Sequence, residues 1–252
     1  MYSEQPMQTT VASTIAFDGV GLHSGRFVRV TIHPAPANTG ISFRRVDITE
    51  SRQTIAATPD NVQQARLCTR IVNDDGVRLE TVEHIMAAFA GLGVDNAIVD
   101  IDGGEAPILD GSSLPVVEAI NRTGIIQLGA RRRVLVVTSP VSIEHAGGWA
   151  KIEPCNGLEI DAEIDFSDPA IGRQRFHYRH GNGSFVRDLA AARTFCMMRD
   201  VAAMQNAGLA LGGSLNNAVV VDNGAILNEG GLRMEHEFCL LYTSPSPRDR
   251  YG

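Results

Sequence analysis

One stretch constrains the fold more than any other: Thr81-Val82-Glu83-His84-Ile85-Met86-Ala87-Ala88-Phe89-Ala90-Gly91. At about 100° per residue, Val82, Ile85, Met86 and Phe89 share one stripe of a helix. The opposite face carries Ala87, Ala88 and Gly91 where a solvated helix would carry charge. A helix that is apolar or small all round is a buried helix. The spacing therefore predicts an enclosed helix over 80–91. Its ionisable side chains, Glu83 and His84, sit side by side in the first turn. A helix N-terminus favours a carboxylate and disfavours an imidazolium. Glu83 is thus helped to stay ionised and His84 to stay neutral, the form that binds metals. The two side chains point about 100° apart, so one can hold a metal while the other faces a metal-bound water. The blander alternative is an N-terminal carboxylate beside a satisfied core histidine.

The rest of the chain reads as α+β. Period-two or apolar runs predict strands over 27–32, 40–44, 67–72, 96–101, 134–137, 150–152, 158–164 and 218–222. Further helices are expected over 114–122, 184–193 and 199–206. The element order of strands, helices and a strand occurs twice. It suggests two α+β domains of similar topology, 1–130 and 131–239, with Arg131–Arg133 between them. From residue 240 the sequence LLYTSPSPRDRYG loses periodicity, and 240–252 is expected to be a non-native tail.

Composition excludes several classes. The 252 residues carry a net charge of −7, with 44 % hydrophobic and 20 % charged residues, the profile of a soluble globular protein. An acidic balance disfavours nucleic acid as a partner. No apolar run approaches the roughly 18–20 residues of a membrane span, and MYSEQPMQTT has no secretory pattern. The four cysteines form no C-x-x-C pair, which points to reduced thiols in the cytoplasm. A monomer is expected.

Other candidates are weaker alone. His23 lies in the glycine-rich turn Gly-Val-Gly-Leu-His-Ser-Gly over 19–25, where backbone can approach a ligand. That turn lacks the strand–turn–helix context of a dinucleotide loop, so an oxidoreductase is disfavoured. Thr194 could cap the next segment or donate a hydrogen bond to a substrate oxygen. The stretch Leu209–Ser214 reads only as a turn.

Together these segments resemble one family, the zinc-dependent UDP-3-O-acyl-N-acetylglucosamine deacetylases of lipid A synthesis. The matching stretches are GVGLHSG, HPAPANTGISFRR, LCT at 67–69, TVEHIMAAFAGLGVDN, PILDGSS, RTFCMMRD, LGGS followed by AVVV, and LNEGGLR with EF at 237–238. They run in order from Phe17 to Cys239, and the resemblance implies an α+β fold of two similar two-layer domains with helices packed between the sheets. The resemblance implies Zn2+ as cofactor, with His84 as the first zinc ligand and Glu83 as the base that activates bound water. It implies Thr194 as the hydroxyl that holds the oxyanion. Phe195, Asp200, Gly213 and Ser214 would line the acyl-chain passage and sugar site, and Leu22, His23 and Cys68 the mouth. The implied partner is a UDP-sugar bearing a fatty acyl chain.

The sequence departs from the family after Cys239. There the family carries its second and third zinc ligands, a histidine and an aspartate, and later a catalytic histidine. LLYTSPSPRDRYG supplies none of them, and neither His236 nor Asp249 matches a ligand position. The expectation is a C-terminally truncated chain with an incomplete second domain, weak zinc binding and little or no turnover. The alternative is a non-catalytic module that binds the UDP-sugar or acyl group.

Overall fold

The computed structural model describes residues 6–49, 53–145 and 148–243. The first half is built on five strands in the order β2-β3-β9-β4-β5: β2 (Ile15–Val20), β3 (Phe27–Pro34), β4 (Ile41–Arg45), β5 (Thr54–Ala56) and β9 (Ala97–Ile101). Their alternation decides which face is buried. Val28, Val30 and Ile32 of β3 point inward with Ala97, Val99 and Ile101 of β9, while Arg29, Thr31 and Asp100 take the other face. Strand β1 (Met7–Val11) pairs with β10 (Ile125–Arg131), and β6 (Val62–Gln63), β7 (Arg70–Val72) and β8 (Arg78–Leu79) form a small sheet. Helix α1 (Glu83–Leu92) packs on α2 (Leu114–Thr123) and on a π-helical turn, Phe185–Leu189. Ala87 and Ala88 are fully buried, as the small-residue face predicts. Gly93 in the left-handed region closes α1. A Cβ on Gly91 would overlap the Phe185 ring, so glycine there sets how closely the turn approaches.

The second half contains two-stranded ribbons, β11 (Val141–His145) with β12 (Gly148–Ile152) and β13 (Glu159–Asp165) with β14 (Arg173–Arg179). A three-stranded sheet follows, β15 (Phe195–Met197), β16 (Val219–Asp222) and β17 (Ala225–Ile226), with β15 parallel to β16. Helix α3 (Met198–Asn206) packs on that sheet, and α4 (Glu237–Thr243) packs on β13 and β14. The molecule is α+β. No helix among the described residues is long and apolar enough to cross a membrane.

Several boundaries differ from expectation. Residues 134–137 form no strand, and Leu135 is 94 % exposed. β1 ends where Met7 faces Arg131, so the run beyond finds no partner among the described residues. The helix begins at Glu83 because Glu80 bridges to Glu105 and Thr81 has φ +59°. The strand over 67–72 shortens to β7 because Leu67 is left-handed, with φ +62°. Of 184–193, only the π-helical turn is helical. Arg132 is tied into the first half by Asp95 and the Gly93 carbonyl. α4 continues through Thr243, with Leu240 and Leu241 buried in the main core. An apolar run behind Phe238 is enough to carry the helix past Cys239. Residues 244–252 of the expected tail lie outside the described residues.

Candidate functional site

Glu83 and His84 open α1, and each is buried to 5 % exposure. Glu83 stands in the first turn, where the helix dipole favours negative charge. The Thr69 N–H donates to Glu83 Oε2 at 3.1 Å. This contact brings the loop of Leu67, Cys68 and Thr69, with Cys68 buried, against the helix head.

His23 joins that loop to a second one. Its Nε2 lies 3.4 Å from the Leu67 carbonyl oxygen, and the Ala210 N–H donates to its Nδ1 at 3.4 Å. A carbonyl only accepts and an amide only donates, so this pair of contacts requires the hydrogen on Nε2. The backbone continues the link: Leu211 N–H donates to the His23 carbonyl and Gly212 N–H to that of Leu22, at 3.1 and 3.0 Å. A Cβ on Gly212 would overlap the Gly21 carbonyl. Hydrogen bonds thus link Leu22, His23, Leu67, Thr69, Glu83 and the loop from Ala210 to Gly213, with Cys68 lying between Leu67 and Thr69. Ser214 is exposed, and its Oγ accepts from the Asn216 N–H at 3.3 Å.

Thr194, Phe195 and Asp200 form a second group. Thr194 N–H donates to the Gly111 carbonyl and the Thr194 carbonyl accepts from Val219 N–H, each at 2.8 Å. The Phe195 ring meets Phe166 and Phe238 edge-on, with centroids 5.5 and 4.8 Å apart. Asp200 is exposed in the first turn of α3. Burial, reinforced by the Asp200 charge, pushes the Cys196 thiol above its ordinary range.

Sequence reasoning missed two buried carboxylates. Glu105 accepts from His23 N–H (2.8 Å), Ser24 N–H (2.7 Å) and Thr81 Oγ1 (3.1 Å), clamping the glycine turn to the residues ahead of α1. Buried carboxylates persist only when so satisfied. Its signal is a lone acid between Gly103-Gly104 and the apolar Ala106-Pro107-Ile108. Glu105 also lines a cavity of about 480 Å³ with Arg26, Arg45 and Arg78; Glu83, His84 and Thr194 do not line it. The second carboxylate is Glu237, fully buried at the head of α4.

For a metal, the fit is incomplete. No group of three or more His, Cys, Asp or Glu among the described residues could hold an ion. A tetrahedral zinc site needs three or four such ligands, and His84 belongs to no group of that size among the described residues.

Comparison with known proteins fixes the family. A UDP-3-O-acyl N-acetylglycosamine deacetylase family model matches residues 8–240. The chain is 46 % identical over 233 residues to a UDP-3-O-acyl-N-acetylglucosamine deacetylase of Vibrio vulnificus, covering 92 % of this chain and 76 % of the relative. It is 44 % identical, with the same coverage, to the proteins of that name from Aliivibrio fischeri and Shewanella halifaxensis. The chain belongs to the UDP-3-O-acyl-N-acetylglucosamine deacetylase family, a family of amide hydrolases.

Proposed function

We propose that this chain carries the substrate-binding and part of the catalytic apparatus for removing the N-acetyl group from UDP-3-O-acyl-N-acetylglucosamine, in the cytoplasm. The observation that carries the reading is the buried Glu83–His84 pair at the head of an enclosed helix, within a chain matched to the family over residues 8–240. Glu83 acts as the base that takes the proton of the attacking water. Thr194 donates its hydroxyl to the acetamide oxygen as that oxygen becomes anionic. Phe195, among Phe166 and Phe238, lines the way for the acyl chain, where each buried CH₂ contributes about 0.8 kcal/mol. Leu22, His23 and Cys68 form the mouth; Asp200, Gly213 and Ser214 meet the sugar-nucleotide. No disulfide joins the four cysteines, in keeping with a reducing compartment.

The family resemblance brings zinc with it, and His84 is the matching ligand here. No group of three or more ligating side chains among the described residues completes the set. With His84 as the matching ligand among those residues, weak zinc binding and little turnover are expected. Elemental analysis of purified chain at neutral pH checks this; one tightly held zinc per chain would refute it. The function is tested by following residues 1–239 with the remaining C-terminal part of the Vibrio vulnificus relative. That chimera is expected to release acetate from UDP-3-O-acyl-N-acetylglucosamine and to lose this on Glu83→Ala. A folded chimera that releases none, beside an active relative, overturns the reading.

A further inference from the structure

Helix α4 begins with two residues that grip both chain neighbours of Thr194. Glu237 is fully buried, and its carboxylate accepts four hydrogen bonds. Arg193 supplies its backbone N–H (3.0 Å), Nε (2.7 Å) and Nη2 (3.1 Å); the Arg233 N–H supplies the fourth at 2.7 Å. Phe238 packs edge-on against Phe195 on the other side of Thr194. Arg233 extends the network into the first half of the molecule through Nη1 to Asp110 Oδ2 at 2.8 Å. Asp110 precedes Gly111, whose carbonyl receives the Thr194 N–H. Gly111 has φ +87°, and a Cβ there would overlap the Asn217 carbonyl. The Thr194 backbone is therefore fixed from both directions, while its hydroxyl makes no hydrogen bond among the described residues.

This is more than helix capping requires. A carboxylate at a helix start commonly serves its own first turn. Glu237 instead spends three of its four contacts on Arg193, forty-four residues away in sequence. We propose that Glu237 is a positioning residue: through Arg193 it sets the Thr194 hydroxyl at the reacting oxygen. This rests on the reading of Thr194 given above.

Two measurements test it. In the unaltered chain, the amides of Arg193, Thr194 and Arg233 are expected to exchange hydrogen as one unit with a common opening equilibrium. Thr194 exchanging more than about tenfold faster than Arg193 overturns the proposal, and this needs no variant to fold. The second is a double-mutant cycle on kcat for acetate release by the chimera that carries the Vibrio vulnificus C-terminal part, using Glu237→Gln, Thr194→Ala and the pair. Each single variant is expected to lose about a hundredfold in kcat, the worth of one hydrogen bond to the developing oxyanion, and the pair no more than either. Loss in Thr194→Ala with none in folded Glu237→Gln, or additive losses, overturns the positioning role and leaves the reading of Thr194 standing. No loss in Thr194→Ala overturns that reading and the positioning role together.

Discussion

The five-stranded sheet of the first half and the β11–β12 hairpin of the second use the same alternating chemistry and reach opposite ends. In the sheet, Ile32, Phe43 and Val99 are fully buried. In the hairpin, Val141, Ile143 and Ile152 on one face, and Trp149 on the other, are each at least 60 % exposed. Apolar alternation sets which face a strand offers; a second layer decides whether that face becomes core. In the first half α1 and α2 help build that layer. An isolated two-stranded hairpin is marginal in water, and an exposed apolar face invites association.

The comparison can be broken by substitution. Phe89→Ala, at the centre of α1, is expected to cost about 3–5 kcal/mol in denaturant unfolding, as large-to-small changes in tight cores do. Gly91→Ala forces a methyl into the Phe185 ring and should cost about 1–3 kcal/mol. Neither figure should be matched in the hairpin: Ile143→Ala is expected to stay within about 0.5 kcal/mol. A larger loss there would mean that the hairpin face is covered in solution. Trp149 sharpens the point because it is the chain's single tryptophan. Its fluorescence should resemble indole in water, be quenched by acrylamide, and change little when the first half unfolds.

The smallest expected effect is electrostatic. Burial raises the Asp100 carboxyl, but the hydrogen bonds and charge of Arg44, helped by His33, outweigh it, and the net shift is downward. A lowered folded value means the unfolded chain binds the proton first. The stabilisation is therefore whole above the unfolded value near 3.9 and fades as pH falls through the folded one. Asp100→Asn should flatten the acid limb of a stability–pH curve, its small loss of stability being full at neutral pH and vanishing as pH falls through the folded value.

How much of this was legible depended on whether the cause was local. The buried character of α1 was written in Ala87, Ala88 and Gly91, and most strands of the first half in their alternation. The start of α1 was not, because Glu80 is held by Gly104 and Ala106, which lie far along the chain. The run at 134–137 has every local mark of a strand but finds no neighbour to pair with among the described residues. In the candidate site, the burial of Glu83 and His84 was legible in the pattern of the enclosed helix. That of Glu105 and Glu237 was not: a buried acid is recognised by its donors, and those come from segments scattered over the chain.

Thr81 leads the chain into α1. A β-branched residue at φ +59° occupies ground that glycine would take at far less cost, of order 1–3 kcal/mol. What it holds in return is a hydroxyl on Glu105, two positions ahead of the Glu83–His84 pair. Thr81→Gly would therefore ease the backbone and slacken the pair's mooring in the same stroke, so durability and aptitude pull against each other at this one position.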